Sequence, residues 1–181
     1  YLLEDANGAT AETPQLMLMR EAIGVSDESE ESIVETYDLL SRKLFTHATP
    51  TLFNAGWKRQ QMSSCFVIHP ESGVRGMLKA QYQSGLISTC AGGIGMSFHS
   101  HQSHGNAVRI LKPLELTMNL AEQSGGKRMG RMCVYIEPCS SAIFEMLELN
   151  KNDGKDVERC PDLYVAVWVP DIFMKRVRDD G

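Results

Sequence analysis

The chain has 181 residues, of which 43% are hydrophobic and 23% are charged. This composition is typical of a globular protein, and the length allows one domain with a substantial core or a piece of a larger one. The formal net charge of −5 argues against a nucleic-acid partner, because sequence-independent binding needs a basic surface. No apolar run approaches the roughly 20 residues that span a bilayer, so we expect no membrane partner.

The chain begins with Tyr1 instead of methionine, and we expect it to be an excerpt of a longer protein. It contains five cysteines, at wide and irregular spacings that form neither a CxxC pair nor a zinc-finger pattern. No signal peptide is visible, and an odd number of cysteines without one indicates a reducing cytoplasm in which most thiols are packed.

Two helices are predicted before residue 46. In residues 12–25, Thr13 is suited to cap the helix and Pro14 occupies the first helical position. Residues 27–45 begin with acidic and serine residues, which suit the N-terminus of a helix. Apolar residues recur at helical spacing in both segments: Leu16, Met19 and Ile23 in the first, and Ile33, Tyr37, Leu40 and Leu44 in the second.

Helix and strand patterns alternate after residue 46. Strands are predicted at residues 63–68, 132–138 and 163–169. Helices are predicted at residues 76–88, 107–123 and 140–152, and another begins at residue 170. Pro113 is expected to interrupt the helix at residues 107–123. The alternation predicts an α/β protein whose strands are covered by helices.

Cys65 lies in the stretch QQMSSCFVIHP, at the start of a predicted strand. A thiol in this position can be a small core side chain, a metal ligand or a redox group. The residue type alone favours the core side chain, because cysteines outside disulfides are among the most buried residues.

Two glycine-rich segments are candidates for binding a nucleotide. In AGGIG, Gly92 and Gly93 allow a backbone to approach a phosphate or sugar, but the GxGxxG fingerprint is absent and a tight turn is the favoured alternative. The segment GGKRMGR, residues 125–131, carries cations that match phosphate oxygens, as its backbone N–H groups do. The alternative for this second segment is a solvated loop.

Three histidines occur close together in HSHQSH. On a strand, His99 and His101 would point the same way, as a metal-binding pair does, and His104 follows. The local sequence offers no carboxylate or thiolate to complete a site, so we expect loop histidines in contact with solvent and no metal.

Seven blocks of the sequence, in order, resemble the large catalytic subunit of class I ribonucleotide reductases. The blocks are FTHATPTLFNAG, QMSSCFVI, AGGIGMS, GGKRMG, VYIEP, IFEMLELNKNDGK and LYVAVWVPDIFMKRV. The resemblance implies an α/β fold in which residues 1–46 form the end of a helical N-terminal region. Residues 47–181 would then form the first half of a ten-stranded α/β barrel.

The resemblance implies a segment of a ribonucleoside-diphosphate reductase large subunit, which makes deoxyribonucleotides for DNA synthesis by thiol-based radical chemistry. Cys65 would be one of two redox thiols inside the barrel, reducing the ribose 2′ position and ending in a disulfide with a cysteine far along the chain. Thr49 and Ser64 would hydrogen-bond the substrate diphosphate or ribose. Gly92 and Gly93 would let the backbone approach the substrate.

The same resemblance implies partners and effectors. They are a ribonucleoside diphosphate substrate, a metal-containing small subunit that supplies a radical, a second large subunit, and thioredoxin or glutaredoxin as reductant. The segment itself is expected to bind no cofactor, whereas ATP and deoxynucleoside triphosphates would act as effectors. A specificity loop would relay effector identity to substrate choice through Gly125, Gly126, Lys127 and Arg128.

The sequence departs from the family pattern at the effector site. Thr89 and Gln102 stand where the family has cations, Ser72 lies where an acidic residue is displaced, and the following loop is several residues shorter. Losing two cations removes charge-assisted bonds to effector phosphates, so we expect weak effector binding. Cys139-Ser140 replaces the usual Trp-His. The alternative interpretation is a non-catalytic homologue kept as a structural or interaction protein.

Overall fold

The computed structural model describes residues 1–27, 29–57, 60–90, 92–99, 107–123, 130–151 and 153–180. Contacts within the chain divide it into two units, Tyr1–Ser64 and Cys65–Gly181, and each unit is described by itself. The division between residues 46 and 47 that the resemblance implies stays a prediction. In the described ranges, no helix combines the length and apolar character that crossing a bilayer requires.

The first unit is built from three helices: α1 (Pro14–Val25), α2 (Glu30–Ser41) and α3 (Thr49–Asn54). The Thr13 hydroxyl accepts a hydrogen bond from the Leu16 amide, so the predicted cap of α1 is confirmed. Ser29 caps α2 in the same way. Both caps satisfy amides that the first helical turn leaves without a partner.

Arg20 joins the end of α3 to α1. Its guanidinium forms an ion pair with Glu12, at 2.8 Å between Nε and Oε1. The same group donates to the carbonyl oxygens of Ala55, at 2.7 Å, and of Leu52, at 3.2 Å. Because Arg20 and Glu12 are both largely buried, these bonds compensate the desolvation of the two charges.

Among its described residues, the second unit contains a sheet of four parallel strands in consecutive order, and this arrangement confirms the predicted α/β class. The strands are β1 (Cys65–Ile68), β2 (Gly93–Ser97), β3 (Met132–Ile136) and β4 (Leu163–Val167). The helices are α4 (Val74–Thr89), α5 (Ala107–Gln123), α6 (Ile143–Glu148) and α7 (Asp171–Asp179), with a 3₁₀ turn at Asp156–Glu158.

The core of this unit lies between one face of the sheet and helices α4, α5 and α6. Alternate strand residues such as Ile94, Met96 and Val134 are buried there against Leu111 and Met146. The opposite face, here called the open face, is not covered by any helix of this unit in the described ranges. The residues of the open face are Cys65, Val67, Gly93, Gly95, Ser97, Cys133, Tyr135, Tyr164 and Ala166.

The prediction of a tight turn at AGGIG is wrong, because Gly93 begins strand β2. Gly93 and Gly95 lie on the open face and leave it without side chains, while Ile94 and Met96 are buried on the other. Buried and half-buried residues therefore alternate, as they do in a strand with one covered face. The sequence did not show this alternation, because the residues at the open-face positions are glycines, which have no side chain.

Two helices also differ from their predictions. Helix α5 runs unbroken through Pro113, because Leu111, Leu114 and Met118 pack into the core on both sides of the proline. Tertiary packing thus overrides the local cost of the proline. Helix α6 has six residues and is therefore shorter than the helix predicted at residues 140–152. It also has no side-chain cap.

Two glycines of α4 are expected to respond oppositely to alanine. A Cβ at Gly76 would overlap the backbone carbonyl of Glu71, so Gly76→Ala should lower the free energy of unfolding by about 1–3 kcal/mol or more. A Cβ at Gly85 would meet only the methyl group of Thr117, at 3.1 Å, which can move slightly. Gly85→Ala should leave stability unchanged or raise it by at most about 1 kcal/mol.

Thermal unfolding of the two variants beside the parent protein measures this difference. Both substitutions gain the same helix propensity, so each is the control for the other. Equal melting temperatures would show that the turn before α4 is not as tight as described.

Candidate functional site

Cys65 is the first residue of β1, and its side chain is exposed on the open face. Its Cα partner on the neighbouring strand is Gly93. Ile68, three residues along β1, points to the opposite face and is buried in the core. The Cys65 thiol therefore lies away from the layer between helices and sheet, and its role as a redox thiol stays a prediction.

The backbone beside Cys65 carries no side chain. Gly92 is buried, and a Cβ there would lie 2.6 Å from Ile87 Cγ2 and 2.8 Å from Phe66 Cε2. The Gly92 amide donates to the Ile87 carbonyl at 3.2 Å, which fixes the link between α4 and β2. These contacts require a glycine at position 92 for packing, whereas Gly93, opposite Cys65, leaves backbone without a side chain on the open face.

A cavity of 510 Å³ lies on the open face near the carboxyl ends of the strands. Its lining combines aromatic and polar side chains, including Tyr135, Trp168, His69 and Glu137. Parallel sheets commonly bind ligands at this edge, although Cys65 lies at the other end of β1 and does not line the cavity. The cavity and the thiol therefore occupy different parts of the same face.

Thr49 and Ser64, the candidate substrate ligands, belong to the first unit. Thr49 is half-buried at the start of α3, and its hydroxyl lies 3.5 Å from the Tyr1 hydroxyl. The Tyr1 ring stacks on Phe53, with 4.9 Å between ring centroids. Ser64 is half-buried and directly precedes β1. The structure thus describes both hydroxyls, and their contact with substrate stays a prediction.

The candidate effector residues are only partly described. Ser72 is exposed just before α4, and Thr89 is exposed at the last position of that helix. The Thr89 hydroxyl donates to the Leu86 carbonyl at 2.7 Å. The remaining candidates lie outside the described residues: Gln102 and the specificity-loop residues Gly125, Gly126, Lys127 and Arg128.

The histidine cluster is described at one position. His99 is exposed, and its Nδ1 lies 3.4 Å from Glu137 Oε1, whereas His101 and His104 lie outside the described residues. Within the ranges described, no three histidine, cysteine or acidic side chains are arranged to hold a metal ion. The expectation that HSHQSH binds no metal stays a prediction.

The remaining thiols have different surroundings. Cys133 lies on the open face between Gly95 and Tyr164, a position that the sequence analysis did not single out. The sequence could have indicated this position, because residues two apart on a strand share a face and Cys133 lies two residues before Tyr135 on β3. Cys160 is buried, and burial, aided by Glu115 and opposed by Lys112, raises the pKa of its thiol to about 12.

Comparison with known proteins identifies the family. The model of the ribonucleotide reductase barrel domain matches residues 63–181, and the model of the ribonucleotide reductase all-alpha domain matches residues 1–60.

Relatives match over nearly the whole chain. A ribonucleoside-diphosphate reductase large subunit from Arabidopsis thaliana is 41% identical over 193 residues, which cover 100% of this chain and 24% of the relative. A large subunit from Monkeypox virus is 44% identical, with 100% and 25% covered. One from Plasmodium falciparum is 44% identical, with 99% and 24% covered. The chain spans about a quarter of the length of these relatives. It therefore belongs to the ribonucleotide reductase large-subunit family.

Proposed function

We propose that this chain is the part of a ribonucleoside-diphosphate reductase large subunit that carries one of its two redox thiols, Cys65. The observation that carries the proposal is the position of Cys65, exposed on the open face and in register with the bare backbone of Gly93. A thiol that must meet a substrate needs such access, which a thiol packed under helices lacks.

The chemistry of the proposal balances as a two-electron reduction. A cysteine outside this chain removes a hydrogen atom from the ribose to start the reaction and returns one at the end. The C2′–O bond breaks and the oxygen leaves as water, while Cys65 and a second cysteine outside this chain supply two electrons and two protons. The two thiols end as a disulfide. Exchange with thioredoxin or glutaredoxin in the cytoplasm reduces this disulfide and restores both thiols.

Four residues bind the substrate in this proposal. The hydroxyl groups of Thr49 and Ser64 donate to the diphosphate or ribose, because hydrogen bonds to charged phosphate oxygens are stronger than those between neutral groups. Gly92 and Gly93 let the sugar approach the strand backbone, which is supported by the position of Gly93 opposite Cys65 on the open face. The initiating radical comes from the metal-containing small subunit.

Replacing the thiol tests the proposal. In the full-length enzyme with its small subunit, Cys65→Ser should abolish turnover with the thiol reductant and leave the substrate dissociation constant unchanged. Serine is almost isosteric with cysteine but cannot form the disulfide. Cys139→Ser, which changes another exposed thiol, is the matched control and should retain turnover. Turnover in Cys65→Ser equal to the parent would contradict the proposal.

A non-catalytic homologue is the second candidate, and Cys139-Ser140 in place of the usual Trp-His supports it. The two candidates differ in the rest of the protein. An Asn-x-Cys-x-Glu segment about two hundred residues downstream would favour the enzyme, since it would carry the radical cysteine. Without that segment, the second candidate is favoured.

We propose, in addition, that deoxynucleotide effectors bind this subunit weakly. Thr89 and Gln102 replace cations, and each lost charged hydrogen bond costs roughly 1.5–3 kcal/mol. Lys112 is a poor substitute, because its ammonium donates to the Arg159 carbonyl at 2.9 Å and pairs with Glu115 at 2.6 Å. Arg109, exposed in the first turn of α5, is the other cation close to Gln102 in the sequence.

Restoring one cation should restore part of the affinity. By calorimetry at constant salt, Thr89→Lys should tighten binding of a deoxynucleoside triphosphate about tenfold, and the uncharged Thr89→Gln should not. The exposed position of Thr89 at the end of α4 accommodates either side chain. Tight effector binding by the parent protein would overturn the proposal of weakened regulation.

We propose that two large subunits associate through helices α4 and α5. Four apolar side chains recur every fourth residue along α4, and two more lie on α5, all of them more than half exposed. They are Val74, Leu78, Tyr82, Leu86, Leu116 and Leu120. An exposed apolar stripe along two packed helices supports an interface, because monomers seldom expose such patches to water.

A charge in the middle of the stripe should disrupt the dimer. Leu78→Glu is expected to shift the full-length subunit from dimer to monomer in sedimentation equilibrium, since it would place a carboxylate in an apolar interface. Val157→Glu is the control, because Val157 is also exposed but lies on the 3₁₀ turn. A dimeric Leu78→Glu protein would exclude this surface.

A further inference from the structure

A buried carboxylate in the first unit has no place in the chemistry proposed above. Glu21 lies in α1 and is completely buried. Its Oε1 accepts a hydrogen bond from Nδ1 of His47, at 2.8 Å, and His47 is about one-third exposed. Among the described residues, the second carboxylate oxygen, Oε2, has no hydrogen-bond partner.

Stability does not explain this pair. A carboxylate with one unsatisfied oxygen loses more hydration on burial than a single hydrogen bond returns. Replacing a buried ion pair by an apolar side chain of similar volume is often neutral or stabilising. Val has nearly the volume of Glu, so an apolar residue at position 21 would fill the same space without the desolvation cost. The pair therefore calls for a role other than holding the fold together.

The position of His47 supplies that role. His47 lies in the connection between α2 and α3, two residues before Thr49, which begins α3. The Phe45 ring meets the imidazole edge-on, with 5.0 Å between ring centroids. The bond to Glu21 ties this connection to α1, so the approach of the chain to Thr49 depends on it.

We propose that the Glu21–His47 pair is a positioning element that holds Thr49 ready for substrate and makes substrate affinity depend on pH. The inference rests on the proposed function, in which Thr49 is a substrate ligand. Glu21 and His47 touch no substrate themselves and act through the backbone that they hold.

The charges around Glu21 determine the direction of the pH effect. Burial raises the pKa of Glu21, while His47 and Arg20 oppose the rise. Arg20 is committed to Glu12 and to two backbone carbonyls. Helix α3 has no charged residue, and the charged residues on α2 and on the connection are exposed: Glu30, Glu31, Glu35, Asp38, Arg42 and Lys43.

The ionised carboxylate is the stronger acceptor for the His47 N–H. As the pH falls through the raised pKa of Glu21, the carboxyl takes up a proton and the bond weakens. Substrate affinity is therefore expected to fall with decreasing pH, and the fall should begin at a higher pH than for a carboxyl group with an unshifted pKa.

Two variants at position 21 separate positioning from folding. In the full-length enzyme with its small subunit, Glu21→Val should unfold at the same temperature as the parent or higher, yet raise KM about tenfold with kcat little changed. Glu21→Gln keeps an acceptor for His47 that does not titrate. It should give a KM near that of the parent at low pH and lose the dependence of KM on pH.

Thr49→Ala completes the experiment and should itself raise KM. If Glu21 acts through Thr49, the double variant Glu21→Val/Thr49→Ala should have no higher KM than Thr49→Ala alone. A raised KM in Thr49→Ala with an unchanged KM in Glu21→Val would overturn the positioning role and leave the proposed function intact. An unchanged KM in Thr49→Ala would overturn Thr49 as a ligand, and the positioning role with it.

A merely structural role has its own signature. In that case Glu21→Val would lower the melting temperature, and KM and kcat would change together. Should the valine variant fail to fold, Glu21→Gln still decides, because a pH profile of KM identical to that of the parent would overturn the inference.

Discussion

Parallel pairing of four consecutive strands is the constraint on which the rest of the second unit depends. Parallel strands need crossover connections, and here the crossovers carry helices that pack on one face of the sheet. The two-residue period of a strand then sends alternate side chains into the core or onto the open face. One register thus buries Ile94 and Met96 and presents Cys65 beside Gly93. A shift by one residue would bury the thiol under the helices.

In the first unit, two neighbouring charged side chains of α1 are largely or completely buried. Arg20 and Glu21 are neighbours on α1, and both point inward, but their surroundings differ. The guanidinium finds a carboxylate and two carbonyls, which compensate its desolvation. The Glu21 carboxylate accepts one hydrogen bond, from the His47 imidazole, and its other oxygen has no hydrogen-bond partner among the described residues. The first arrangement stabilises the packing of α1 on α3. The second arrangement leaves the desolvation of the carboxylate only partly compensated.

Sequence patterns predicted the elements whose signals are local. The cap at Thr13 and strands β1, β3 and β4 follow from residue types within a few positions. Strand β2 was missed because glycines occupy the open-face positions. The helix α5 was predicted, but its expected interruption at Pro113 is wrong because packing compensates for the proline. The resemblance named Cys65, yet the face on which it lies follows only from the burial of the alternate residues. The burial of Glu21 was unpredictable, because its partner lies 26 residues away.

Burial also sets Cys160 apart from the exposed thiols of this chain. Thiol–disulfide exchange proceeds through the thiolate, and a thiol with a pKa of about 12 holds almost no thiolate near neutral pH. The Cys160 thiol is therefore unreactive toward oxidants and disulfides, whereas the thiols of Cys65 and Cys139 are accessible to both. The helix layer that closes the core therefore also shields Cys160 from thiol-reactive molecules in solvent.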